Sequence, residues 1–256
     1  MEHISISMWS LALLVGVALA FDFMNGFHDG ANSISTIVAT GALTPRQAVL
    51  FAAAFNFIAL WVFQLKVAAT IGKGTVDPQF VDHFVIFGAL MGALAWNIIT
   101  WYYGIPSSSS HALVGGLVGA TVVKAGGLAP IVWGGFGKIL LFIVLSPLVG
   151  FFIGGILMVL VAWIFRNQSP YQASGWFRYG QLFAAGAYSL GLATLGGIPV
   201  STTHTITGAI VGVGTAQDVK AVRWGLTFNL VVAWVLTIPA SGLIAAAFWY
   251  VGLSFL

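Results

Sequence analysis

Long apolar stretches broken by short polar islands organise this chain. No charged residue lies between Arg46 and Lys66, between Lys138 and Arg166, or after Arg223. Each stretch matches or exceeds the roughly 20 residues that cross a bilayer as a helix. The pattern predicts helices near 8–24, 31–42, 46–70, 83–103, 131–146, 148–165, 178–192 and 222–256, the last bent or divided at Pro239. Thr44-Pro45 is a helix start, with threonine as the capping residue and proline at the first helical position. The first apolar run, Met8 to Phe21, follows Glu2 and passes into a polar segment without a small-residue cleavage site. It therefore reads as a retained helix and not as a removable signal peptide.

Composition turns this pattern into a fold class. Only 6% of the residues are charged and 59% are hydrophobic, against roughly 25% charged in a soluble domain. So few charges cannot cover a water-facing surface, and the chain reads as an all-α polytopic protein, multi-pass in the cell membrane among lipid. Its net charge of +3 comes from scattered Lys and Arg. These suit loop ends at anionic headgroups and not nucleic acid. The absence of cysteine excludes disulfides and thiolate metal sites.

The chain repeats itself. GIPSSSSHALVGGLVGA at 104–120 returns as GIPVSTTHTITGAIVGV at 197–213, pairing Ser108 with Ser201, His111 with His204, and Ser109 and Ser110 with Thr202 and Thr203. Downstream, Pro147 and Gly150 answer to Pro239 and Gly242. The polar connection 166–180 divides a first repeat, 1–165, from a second, shortened one, 181–256. Membrane proteins built from two repeats place substrate at the repeat interface near mid-membrane.

Two kinds of polar island carry the chemistry. A Gly-Ile-Pro break cannot face lipid, because unpaired backbone groups there cost several kcal/mol each. It predicts a re-entrant hairpin with a helix starting just after it. The helix's free N–H groups, its positive dipole end and the adjacent hydroxyls then converge as anion donors. Two such tips could hold a tetrahedral oxyanion from both sides. A lone Ser or Thr in a membrane helix instead bonds the carbonyl one turn back, and His111 and His204 read first as structural pins. The second island, FDFMNGFHDGANS at 21–33, sets Asp22 and Asp29 after an apolar helix with no basic neighbour; intramembrane carboxylates are functional by default. Gly26 and Gly30 allow unwound backbone, and Asp29 with Asn25 and Asn32 forms a hard oxygen set suited to an alkali or alkaline-earth cation. Asn56 stands alone in its helix. Anion donors beside a cation site make a coupled carrier, since each ion lowers the other's desolvation cost.

The stretches NGFHDGAN (25–32), GIPVSTTH (197–204) and TPRQA (44–48) resemble the inorganic phosphate transporter family. That resemblance implies two inverted repeats, each with an Asn-Asp motif and a Ser/Thr-rich hairpin. It implies phosphate contacts from Ser107, Ser108, Ser109, Ser110, Ser201, Thr202 and Thr203, and sodium ligands at Asn25, Asp29 and Asn32. Asp22, Asn56, His111 and His204 are accessory candidates; Asn56 stands where some relatives carry an acid, and an amide cannot titrate. The chain departs from the family in lacking the second Asn-Asp motif, so its second repeat is incomplete, and a homodimer is one way to complete the site. The expected activity is symport of phosphate with sodium or protons, with no organic cofactor and no enzymatic step. Sulfate is the nearest competing substrate. An anion channel would call for basic rings, and an intramembrane Ser/His hydrolase for an activated nucleophile and an oxyanion hole.

Overall fold

A computed structural model of the protein describes residues 7–62, 74–169, 177, 179–180, 201–220 and 222–255, without the side chains of 31–33, 59–62 and 255. The expected helix 178–192, the end of 46–70 and the turn at Gly197 to Pro199 lie outside the described residues. Among the described residues seven α-helices follow in order: α1 (Met8–Ala39), α2 (Pro45–Val62), α3 (His83–Tyr102), α4 (Ser109–Ala125), α5 (Trp133–Ile164), α6 (Thr202–Gln217) and α7 (Trp224–Phe255). Among the described residues the only extended pairing is an isolated bridge, Val76 with Ile131.

Helices α1, α3, α5 and α7 are long and apolar enough to cross a membrane. Exposed Trp133 and Trp163 mark the two ends of α5, and the Arg166 guanidinium sits 5.3 Å from the Trp163 ring. Aromatic and basic residues at helix ends suit the headgroup level.

Three expected divisions do not occur. Helices 8–24 and 31–42 are one helix, α1, which runs through Gly26 and Gly30. Helices 131–146 and 148–165 are likewise one helix, α5, with Pro147 inside it, and α7 continues through Pro239 undivided. A helical glycine costs only about 1 kcal/mol, less than leaving backbone groups unpaired in an apolar medium. Proline costs about 3 kcal/mol in a water-exposed helix, but neighbouring helices and hydroxyls can serve the freed carbonyl in a membrane. Any ion held by α1 must therefore be held by its side chains and not by unwound carbonyls.

The described residues form two compact units, each drawing on segments from both sides of the polar connection. The first comprises Met1–His28, Ala69–Leu141 and Phe228–Leu256; the second comprises Asp29–Ala68 and Phe142–Thr227.

In the first unit α3 and α4 form an antiparallel helical hairpin. Its open end is clasped by Lys124 Nζ on Asp82 Oδ2 at 2.8 Å, while Asp82 Oδ1 caps α3 by accepting from the Val85 amide at 2.9 Å. At the tip, α3 stops at Gly104, whose φ is +64°. The Ile105 amide donates to the Thr100 carbonyl at 2.8 Å and the Gly104 amide to that of Trp101 at 3.0 Å. Glycine takes this left-handed conformation without steric cost and leaves those carbonyls satisfied. Helix α7 lies against the hairpin through residues without side chains. A Cβ at Gly92 would stand 2.6 Å from the Ala245 Cβ and 2.7 Å from the Ser241 carbonyl, and Gly115 and Gly119 meet the main chain of Ile238 and Gly242.

The second unit repeats this contact with other partners. Gly208 and Gly212 of α6 meet the main chain of Pro147 and Phe151 on α5, and Gly150 and Gly154 of α5 meet Thr205 and Ala209. Helix α4 thus packs on α7 and helix α6 on α5, each on the proline-bearing helix that follows the other Ser/Thr-rich segment in sequence. Elsewhere in this unit Ile37, Ala42 and Ala48 close an apolar cluster. The start of α2 is a capping box: the Thr44 amide donates to Gln47 Oε1 at 3.1 Å, and the Gln47 amide reaches back to Thr44 Oγ1 at 3.5 Å.

Because the atoms around Gly92 are largely backbone and cannot rotate away, Gly92→Leu is expected to destabilise by about 1–3 kcal/mol. Gly134→Ala, where a Cβ meets nothing within 4 Å, should leave stability unchanged. Thermal unfolding of the two purified variants in detergent checks the contrast.

Candidate functional site

In the first unit the turn between α3 and α4 brings four hydroxyls to one helix start. Ser108 caps α4 by accepting from the His111 amide at 3.3 Å. Ser107, fully buried, accepts from the Trp96 indole N–H at 3.1 Å and lies 3.1 Å from the Thr237 hydroxyl on α7. The Trp234 indole N–H donates to the Pro106 carbonyl at 3.2 Å, which ties the tip to α7 a second time. Ser109 donates to Asn25 Oδ1 on α1, and Thr100 Oγ1 lies 3.3 Å from His28 Nε2. Ser107, Ser108, Ser109 and His111 are buried and Ser110 is half-buried. The result is a buried, hydroxyl-rich start to a helix whose dipole end is positive.

In the second unit Ser201 caps α6 in the same way, accepting from the His204 amide at 3.2 Å. Two residues on, Thr203 Oγ1 donates to Asp29 Oδ1 at 3.3 Å. Ser201, Thr203 and His204 are buried; Thr202 is half-buried. The aligned serines therefore perform the same local task in both repeats. The hydroxyl next to the α1 side chain is not aligned: Ser109, which pairs with Thr202, meets Asn25, whereas Thr203, which pairs with Ser110, meets Asp29.

Most other hydroxyls behave as packing residues. Thr205, Thr207, Thr215 and Ser241 each donate to the carbonyl four residues back, as Ser and Thr do in apolar helices. Ser107, Ser108, Ser109, Ser201 and Thr203 instead bond a cap amide or a side chain of another helix.

Of the α1 candidates, Asn25 and Asp29 are placed beside hydroxyls. The Asn32 side chain lies outside the described residues, and Asp22 and Asn56 are exposed. Among the described residues no three His, Cys, Asp or Glu side chains cluster, so the oxygens on offer are carboxylate, amide and hydroxyl, a set for a hard cation.

Sequence reasoning passed over Trp96, Trp234 and Thr237, which fix the first tip, and Asn97 and Thr100 beside them. The available signal was WNIIT at 96–100, two polar side chains nearly one turn apart inside a stretch that otherwise reads as lipid-facing.

Comparison with known proteins gives a family and a fold. Residues 25–184 and 180–245 match the phosphate transporter family. The chain is 43% identical to a probable low-affinity inorganic phosphate transporter of Rhizobium meliloti, over 93% of this chain and 95% of the relative. It is 35% identical to a protein of the same description from Bacillus subtilis, over 93% and 96%. The first of these alignments spans 317 positions on a chain of 256 residues, so several tens of positions of that relative have no counterpart here. A solved structure titled the sodium-dependent phosphate transporter has the same fold, with a TM-score of 0.82 at 20% identity over 97% of this chain and 100% of its own.

Removing either capping hydroxyl should cost about 1 kcal/mol. Ser108→Ala and Ser201→Ala are each expected to lower the melting temperature by a few degrees, and Ser108→Thr, which keeps a capping oxygen, to restore most of it.

Proposed function

The chain belongs to the phosphate transporter family, and on that premise we propose that it is a secondary carrier moving inorganic phosphate across the plasma membrane in symport with sodium. The observation that carries this reading is the pair of buried serine caps, Ser108 and Ser201, each opening a helix whose N-terminal hydroxyls meet an α1 side chain.

In this reading Ser107, Ser108, Ser109 and Ser110 in one unit, and Ser201, Thr202 and Thr203 in the other, are the phosphate-binding hydroxyls. Helix N-termini supply positive potential without a buried Lys or Arg, so phosphate can be held and still leave. Asn25, Asp29 and Asn32 on α1 are the sodium ligands; the Thr203 hydroxyl, donating to Asp29 Oδ1, orients the carboxylate. A bound cation lowers the cost of desolvating the anion, which is the physical basis of coupling. The repeats 1–165 and 181–256 are the proposed inverted halves of an alternating-access carrier, and a second copy of the chain is the proposed complement to the shortened half.

Uptake of labelled phosphate into proteoliposomes tests this directly. An inward sodium gradient should accelerate uptake, and excess sulfate should compete weakly. The Ser108→Ala, Ser201→Ala double variant should lose about tenfold or more of its uptake while remaining folded, and Asp29→Asn should lose sodium stimulation. Uptake driven equally well by a proton gradient without sodium would replace sodium as the coupling ion, and full uptake by the double variant would remove the serines from the site.

A further inference from the structure

Asn97 stands apart from the groups described above. Its side chain is fully buried in α3, yet among the described residues neither Nδ2 nor Oδ1 has a hydrogen-bond partner. A buried primary amide can make several hydrogen bonds, and leaving it unmatched carries a substantial penalty. An apolar residue of the same size would remove that penalty, so the amide has work beyond packing.

Its position follows from the register of the hairpin. Gly116 of α4 packs on Ala89 of α3, and Gly88 faces Ala120. Ala89, Ala93 and Asn97 share one face of α3 at intervals of four residues. Two turns along each antiparallel helix toward the tip bring Asn97 level with Ser108, the residue that caps α4. On the α7 side, Gly92 packs on Ser241; one turn nearer the tip lies Thr237, whose hydroxyl pairs with Ser107. Trp96 and Thr100, flanking Asn97, bond Ser107 and His28. The unmatched amide therefore lies on the face of α3 that lines the hydroxyl cluster at the α4 start.

We propose that Asn97 selects phosphate over sulfate by reading the protonated oxygen, with Nδ2 donating to a bare P–O oxygen and Oδ1 accepting from the P–OH hydrogen. This rests on the phosphate site described above. The other groups at that helix start can serve either tetrahedral anion, because backbone N–H groups donate and a hydroxyl can turn to donate or to accept as the guest requires. An amide oxygen only accepts. Near neutral pH phosphate retains at least one P–OH, whereas sulfate has none and would set an anionic oxygen against Oδ1 with no hydrogen between them. A site built to pair with a particular OH rejects the analogue lacking it far more strongly than a shape-based pocket does.

The test measures selectivity in proteoliposomes. Wild type is expected to take up phosphate, to be inhibited by arsenate, which also keeps an As–OH, and to be nearly indifferent to sulfate. Asn97→Leu should fold at least as well, since two unmatched polar atoms are gone. Its phosphate affinity should fall on the order of 10–100-fold toward that for sulfate, so that sulfate becomes an effective competitor. Asn97→Thr, with one hydroxyl able to accept, should lie between and covers the case in which the leucine variant does not fold. Wild-type discrimination retained by folded Asn97→Leu, or by Asn97→Thr if leucine is not tolerated, overturns the role of Asn97. Absence of phosphate uptake by the wild type would overturn the proposed function itself, and the two failures are read from different proteins.

Discussion

A serine oxygen accepting from a backbone amide three residues ahead, made at Ser108 and again at Ser201, is the interaction on which the rest of this structure depends. A helix that begins inside apolar surroundings exposes N–H groups that water cannot reach. Those groups must be matched within the protein or by a guest. One hydroxyl satisfies one of them and fixes where the helix starts; the remaining donors, and the dipole behind them, stay available. Among the described residues no lysine or arginine is buried, which suits a carrier: a full positive charge would bind an oxyanion more tightly and release it more slowly.

Holding such a start in place requires close helix packing, and here it is achieved by omission of side chains. Gly92, Gly115 and Gly119 let α3, α4 and α7 approach main chain to main chain, and Gly150, Gly154, Gly208 and Gly212 do the same for α5 and α6. Lipid tails are as apolar as leucine, so packing in a membrane gains little from further apolar bulk and much from contact. The indoles of Trp96 and Trp234 then anchor the first tip at two points, Ser107 and the Pro106 carbonyl, and leave the Ser108 to Ser110 run facing its own helix start.

The sequence disclosed most of this where identity and spacing were both unusual. Repetition of the hairpin marked Ser108 and Ser201, and the Thr44-Pro45 pair marked the start of α2. It disclosed less where one residue type serves two purposes. Tryptophan reads as an interfacial belt, so the anchors at 96 and 234 were invisible; threonine reads as a back-bonding residue, which Thr237 also is, donating to Ala233 at 2.8 Å. Gly26, Gly30 and Pro147 read as breaks because that is their effect in water, whereas without solvent to take the freed backbone groups the helix holds. Asn97 was hidden in plain composition, one polar letter in a long apolar word.

The exchange of proline-bearing helices between the two hairpins has a consequence for how the protein is made. Ser107 and its partner Thr237 are 130 residues apart in the chain, and at ribosomal speeds of roughly 5–20 residues per second the α3–α4 hairpin waits on the order of ten seconds before α7 has been synthesised. During that interval its glycine-lined face and its half-matched hydroxyls have no permanent cover. Biogenesis must therefore shelter an unfinished hairpin at the insertion machinery until α7 arrives, and the first unit can close only after that helix has been made.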